Sequence, residues 1–315
     1  MNVSISVIMS VYNEKAEWVQ DSILSILNQT YRHLEFIIVL DNPMNHELQQ
    51  LLLHYEKSDD RVQVLVNHEN MGLVKSLNFA LKHCSGEYVA RMDADDVSVK
   101  DRLALQKEYL EQNGLDFLFS AVTIIDEEST IQYDTNKNEY NSVQTKKLLE
   151  IGNISKHPTW FGKREVYEEL KGYRDVHYCE DYDFILRCLY KGYRIGKMGE
   201  ALVRYRIRKS SISRSNSLEQ FLNSRGLLRL YRKQLLLDEA SVRNLMKSSK
   251  DRASDVEKEK FDLAQKKFSG ATILIKQKSK LKGIFILINS LFLSKYFRSK
   301  MTDMMKYKFQ ESFVK

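Results

Sequence analysis

A chain of 315 residues, 43% apolar with a mean hydropathy of −0.43, fits a folded, soluble-type protein with one large core or two modest ones. Two prolines and 12 glycines argue against long flexible linkers, and Cys84, Cys179 and Cys188 lack metal-ligand spacing, so they read as packing thiols of a reducing cytoplasm. The formal charge of +7 is unevenly placed: residues 271–315 hold ten Lys/Arg against Asp303 and Glu311, a net of +8, which leaves −1 for residues 1–270.

The first segment, MNVSISVIMSVYNE, has no basic leader and no small-residue cleavage site, so it reads as a strand over 3–11 and not as a signal peptide. Residues 16–29 place Val19, Ile23, Ile26 and Leu27 on one helical stripe. LEFIIVL (34–40) is continuously apolar, as a parallel strand covered on both faces must be. A helix at 46–57, a strand at 61–66, a helix at 72–84 and a strand at 87–92 follow. This alternation predicts a doubly wound, Rossmann-like α/β sheet, mostly parallel and flanked by helices. Further on come a helix over 101–114 and a strand over 116–126, mixed pieces to about 206, and charge-rich helix over 215–270. The domains expected are a catalytic one at 1–213 and a helical, basic extension at 214–315.

In such sheets ligands bind beyond the carboxyl ends of the strands. Those ends carry Tyr12-Asn13-Glu14, Asp41-Asn42, the stretch NHENMG (67–72) and Asp93-Ala94-Asp95-Asp96. Three carboxylates in four positions repel one another unless positive charge sits among them. One explanation is helix capping, with Asp96 or Ser98 starting the helix near 100. A calcium loop fails, because its twelve-residue ligand pattern is absent. A divalent ion held by one or two carboxylates and completed by ligand phosphates accounts for Asp93 and Asp95 as well. No GxGxxG follows the first strand and no GxxxxGK[ST] occurs, which removes dinucleotide and P-loop readings. Asp41 can accept from a base imide, Tyr12 can stack on the base, and Lys75 can face a phosphate. The plain alternatives are a turn former before Pro43, a core filler and a solvated helix residue.

SVIMSVYNE, SILNQTY, EFIIVLDNP, NMGLVKSLN, GEYVARMDADD and CEDYDFILRCLYKGYRIG together resemble the family-2 inverting glycosyltransferases of GT-A fold, nearest the bacterial capsular and exopolysaccharide branch. The likeness covers about residues 3–213, with the motifs in family order. It implies Mn2+ or Mg2+ at Asp95 and Asp93, with Asp93 also on the ribose of a UDP- or dTDP-type nucleotide-diphospho-sugar. It makes Asp41 the base-binding acid, with Tyr12 and Glu14 beside it. Leu40 departs from the Asp-Asp pair that many relatives carry there.

Inverting transfer needs a base for the acceptor hydroxyl. Of Glu180, Asp181 and Asp183 in HYCEDYDFILRC (177–188), the family's Glu-Asp motif matches the first two, and its base resembles Asp181. The same acids suit the first turn of a helix running to about 191. On the acceptor side, His157 orients a ligand or is a satisfied core histidine, and Trp160 stacks on sugar or fills the core. Residues 203–213 resemble a loop closing over the diphosphate, with Arg206 and Arg208 against its charge; relatives often carry His at the position of Arg208.

The tail segment LKGIFILINSLFLSKYF (281–297) is too short to span a bilayer, which takes roughly 20 apolar residues. Flanked by basic groups, it reads as a helix on an anionic membrane surface, or one docking on the catalytic domain or a second copy of the chain. The reaction expected is transfer of a sugar to a polyprenyl-diphosphate-linked saccharide in capsule or exopolysaccharide synthesis, by a cytoplasmic enzyme on the inner face of the cell membrane. A sugar-phosphate nucleotidylyltransferase lacks the glycine-rich loop it would need here. A nucleic-acid binder fits the apolar stretch at 284–293 badly, so no nucleic acid is expected as a partner.

Overall fold

The computed structural model describes residues 4–208, 216–249, 253–276 and 280–314. The first half runs β1 (Ile5–Val11), α1 (Ala16–Leu27), β2 (Leu34–Leu40), α2 (His46–Ser58), β3 (Val62–Val66), α3 (Leu73–Leu81) and β4 (Tyr88–Asp93). All three pairings among β1, β2, β3 and β4 are parallel, so the four carboxyl ends share one edge of the sheet. The expected alternation is therefore present, each element within a few residues of its predicted span.

The continuous apolar run of β2 has its predicted cause. Leu34, Phe36, Ile38 and Leu40 join Val19, Ile23 and Leu52 in the core beneath α1 and α2. The alternate residues Ile37 and Val39 are equally buried, on the face where α3 packs.

Beyond β4 the chain forms β5 (Val97–Ser98), α4 (Arg102–Gln112), β6 (Phe117–Ile125), β7 (Ile131–Asp134), α5 (Ser142–Leu149), a 3-10 turn (His157–Thr159), β8 (Phe161–Lys163), α6 (Arg164–Glu169), α7 (Glu180–Lys191) and β9 (Ile195–Arg206). The strand order is β3-β2-β1-β4-β8-β6-β9-β5, with β7 added on β6. β8 is antiparallel to both β4 and β6, which returns β6 and β9 to the direction of the first four. The result is the mixed, mostly parallel sheet with flanking helices expected of the GT-A fold.

Capping does not explain Asp96. Val97 and Ser98 pair with β9 as a short strand, and the N-cap position of α4 is Asp101, whose side chain makes no cap bond.

A second compact unit contains α8 (Ser217–Arg232), α9 (Glu239–Ser249), α10 (Asp255–Lys276), α11 (Lys280–Leu293) and α12 (Lys295–Val314), together with Lys147–Asn153 and Val176–Cys179. It is thus larger than a simple C-terminal extension, and the 213/214 boundary lies outside the described residues. Its core is Leu218, Phe261, Ala264 and Phe297. α8 grips the short stretch before α7: Asn223 Nδ2 donates to His177 O at 3.0 Å and Gln220 Nε2 to Tyr178 O at 3.0 Å. The single apolar helix expected at 281–297 is two helices, broken at Ser294.

Candidate active site

The shared carboxyl edge of β1, β2 and β4 is tied together by short side chains. Asn13, after β1, accepts from Asn42 Nδ2 at 2.7 Å and Asn45 Nδ2 at 3.2 Å, both after β2. Ser22 of α1 donates to Asp93 O at 2.9 Å, fixing the end of β4.

Asp41 is buried, and its carboxylate accepts from Asn67 Nδ2 at 2.7 Å, Met71 N at 2.8 Å and Gly72 N at 2.9 Å. Gly72 has φ +84°, a conformation that L side chains rarely adopt, and this lets its N–H turn toward Asp41 as α3 begins. The acid therefore closes the NHENMG loop over the sheet edge and retains lone pairs for a ligand donor. Tyr12 keeps 41% of its surface exposed, while its N–H donates to Glu14 Oε2 at 2.8 Å. Lys75 is exposed in the first turn of α3.

Asp93, Asp95 and Asp96 can place one oxygen each within 4.8 Å of one another. Arginines supply positive charge among them. Arg91, almost fully buried, pairs with Asp93 from the same face of β4, as residues two apart on a strand do. Arg208 sits on Asp95, Nε to Oδ2 at 2.8 Å, and reaches toward Glu14 at 4.0 Å. Arg206 N donates to Asp96 Oδ1 at 2.8 Å. Even so, burial and the neighbouring Asp93 charge, opposed by Arg208, push the Asp95 carboxyl up to about 6. Asp96 is also displaced upward, by burial and its two acidic neighbours, and its Oδ2 is buried without a partner. The hard oxygen donors of Asp93 and Asp95 and a residual excess of negative charge fit a Mg2+- or Mn2+-type ion.

Arg206 does not fit the diphosphate role read from the sequence. It is 3% exposed, donates from Nε to Asp95 O at 2.8 Å and from Nη1 to Asp126 O, Glu127 O and Ser129 Oγ at 2.9–3.2 Å, and lies over the Trp18 ring. It is a clamp under the acidic loop. Arg208 has a side chain aimed at the cluster, while residues 209–213 of the proposed closing loop lie outside the described residues.

The second acidic motif opens α7. Asp181 Oδ1 accepts from Tyr182 N at 2.6 Å, a short bond that orients the carboxylate at the helix start. Asp183 is wholly buried between Arg174 and Arg187, whose Nη1 and Nη2 also hold Leu170 O and Gly172 O at 2.7 and 2.8 Å. It is a structural acid. Glu180 is pushed up to about 7 by burial and by the Asp181 charge, with Arg91 opposing. Arg91 thus bears on both acidic motifs, and burial raises the Tyr173 hydroxyl, with Arg91 opposing and Glu180 and Asp181 adding to it.

A testable consequence concerns stability. Unfolded glutamate releases its proton near 4.5 and native Glu180 near 7, so between those values the native state holds the extra proton and loses stability as pH rises. Glu180→Gln removes that slope. Its melting free energy should gain on the parent from pH 5 to 8 by at most about 3 kcal/mol. Thermal melts across that range check it, and a pH-independent difference would refute the assignment.

Trp160 is fully buried, in edge contact with Phe117 and His157 and stacked on Tyr173, so no ring face is open to a sugar. The core reading is the correct one. His157 Nε2 lies 2.9 Å from Tyr173 OH, and burial together with the Arg91 charge keeps its ring well below the ordinary histidine range. It stays neutral and supports Tyr173.

Arg91 is the residue that sequence reading passed over. The available signal was a lone arginine inside the apolar run EYVARM: a strand buried on both faces tolerates a guanidinium only against an acid, and Asp93 is the one at the right spacing.

Comparisons with known proteins agree with this geometry. The Glycosyl transferase family 2 profile matches residues 6–171. The O-antigen biosynthesis glycosyltransferase WbnJ of Escherichia coli is 34% identical over 71% of this chain and 91% of its own length. The putative teichuronic acid biosynthesis glycosyltransferase TuaG of Bacillus subtilis is 34% identical over 40% of this chain and 49% of its own. Among solved structures, S. aureus TarS 1–349 in complex with UDP-GlcNAc aligns with TM-score 0.59 at 19% identity, covering 92% of this chain and 80% of that one. The mannosyltransferase PcManGT from Pyrobaculum calidifontis, in complex with GDP-Man and Mn2+, aligns with TM-score 0.57 at 17% identity, covering 93% and 87%. With its GT-A sheet and two acidic motifs, the chain belongs to glycosyl transferase family 2 and is a glycosyltransferase.

Proposed function

We propose that the chain transfers a sugar, with inversion, from a UDP- or dTDP-type nucleotide-diphospho-sugar to a saccharide carried on a polyprenyl diphosphate. The reaction takes place at the cytoplasmic face of the cell membrane and builds a capsule or other surface polysaccharide. The observation that carries this reading is the cluster of Asp93, Asp95 and Asp96 at the carboxyl edge of the sheet, with Arg91 of β4 paired to Asp93. The names of WbnJ and TuaG support a surface-polysaccharide product, and UDP-GlcNAc in TarS and GDP-Man in PcManGT support a nucleotide-diphospho-sugar donor.

In this reading Asp95 and Asp93 would hold Mn2+ or Mg2+, which would supply positive charge to offset that of the leaving diphosphate. Asp41 reads the base, Tyr12 stacks on it, and Glu14 stiffens that turn. Lys75 and Arg208 face phosphate. Asp181 takes the proton of the acceptor hydroxyl, whose oxygen attacks the anomeric carbon opposite the leaving group. The bond from that carbon to the diphosphate oxygen breaks, and its electron pair leaves with the nucleoside diphosphate. Glu180 beside Asp181 sets the local charge, and His157 acts through Tyr173.

The test is a thermal-shift screen of the full chain against nucleotide sugars with and without Mn2+. One donor class plus Mn2+ should stabilise by about 2.7 kcal/mol at 100 times its Kd, and chelation should abolish the shift. Absence of a shift with every nucleotide sugar, metal present, would overturn the reading.

A further inference from the structure

The two terminal helices leave apolar stripes uncovered. On α11, Leu281, Ile284, Phe285, Ile288 and Phe292 recur three and four residues apart and are all exposed, Leu281 by 87% and Phe292 by 73%. The opposite flank of that helix buries Gly283 and Ser290. On α12, Met305, Phe309 and Phe313 follow at four-residue spacing, 73%, 67% and 71% exposed. Scattered exposed apolar groups need no explanation, but eight in regular stripes on two successive helices are apolar area that water solvates poorly.

The charge along this part of the sequence is one-sided. Residues 271–315 carry the net +8, and Arg298, Lys306 and Lys308 are exposed on α12 itself. Among the described residues no helix is long and apolar enough to cross a membrane. The 14 residues of α11 extend only about 21 Å, short of the roughly 30 Å hydrocarbon layer.

We propose that α11 and α12 form a lipid-facing surface: their exposed apolar side chains enter the headgroup region of an anionic bilayer, and the surrounding Lys and Arg draw them there. A second copy of the chain is the weaker occupant. A two-fold contact sets the same patch against itself, so +8 would meet +8, whereas acidic lipid complements it. α12 doubles the one-helix surface that composition suggested. The proposal is independent of sugar transfer, because membrane binding needs neither donor nor acceptor.

Flotation of the full chain on vesicles tests it. The chain should float with phosphatidylcholine vesicles containing about one third phosphatidylglycerol, and about tenfold less with phosphatidylcholine alone or in high salt. Phe285→Ser/Phe292→Ser and Phe309→Ser/Phe313→Ser should each lower partitioning about tenfold with unchanged melting, since these rings are exposed. Three results would overturn the proposal: a parent chain that stays behind, variants that float equally well, or a dimer that these substitutions split without any vesicle binding.

Discussion

Asp181→Asn should lower the transfer rate by about 10²–10⁴-fold while the fold and donor affinity are kept. Asparagine has the same shape, and its side-chain oxygen can still accept from Tyr182 N, so the first turn of α7 is preserved. What disappears is the ability to take a proton, worth about 3–5 kcal/mol in the barrier over that range. Because the base acts only as the acceptor oxygen attacks, the loss should fall on kcat and leave the KM for the donor nearly unchanged. Nucleoside diphosphate release at saturating donor, beside circular dichroism of both proteins, measures this. Undiminished turnover in a folded variant would move the base elsewhere, first to Glu180.

Asp95→Asn is the second large effect. The parent should gain about 2.7 kcal/mol of stability from Mn2+ at 100 times its Kd, and this variant should gain almost none. Without metal its melting temperature should change little. The substitution relieves repulsion from Asp93, but it also neutralises the charge that Arg208 holds at 2.8 Å, and these oppose each other. Asp96→Asn is the internal control. That carboxyl is buried, displaced upward by its neighbours and held by Arg206 N, so an uncharged amide fits and the metal response should survive. Titration by electron paramagnetic resonance reads free Mn2+ directly, without any turnover. Equal affinity in Asp95→Asn and the parent would remove the metal assignment.

The acidic cluster illustrates how far sequence reading reaches. The repulsion among Asp93, Asp95 and Asp96 was legible because they are three residues apart at most. Its relief was not fully legible. An ion alone was expected to offset it, whereas Arg91 and Arg208 share that task with whatever cation binds. Arg206 was read as a phosphate ligand from its place in a loop motif. Its actual partners lie about 80 and 110 residues away, on the β6–β7 turn and after β4. Trp160 read as a sugar-stacking face or, by a small margin, as core, and Phe117, Tyr173 and Phe184 close around it.

By itself the sequence determined the order of strands and helices, the parallel edge on which the acids gather, and the basic, apolar tail. Each of these follows from periodicity or spacing within a dozen or so residues, which the backbone converts directly into a face or an end. Tertiary structure alone decided which carboxylate each guanidinium meets, which aromatic rings lie in the core, and that the tail folds as two helices with uncovered stripes. A hydrogen bond or ion pair forms only within about 3 to 4 Å, and that proximity is set by packing between segments far apart in the chain.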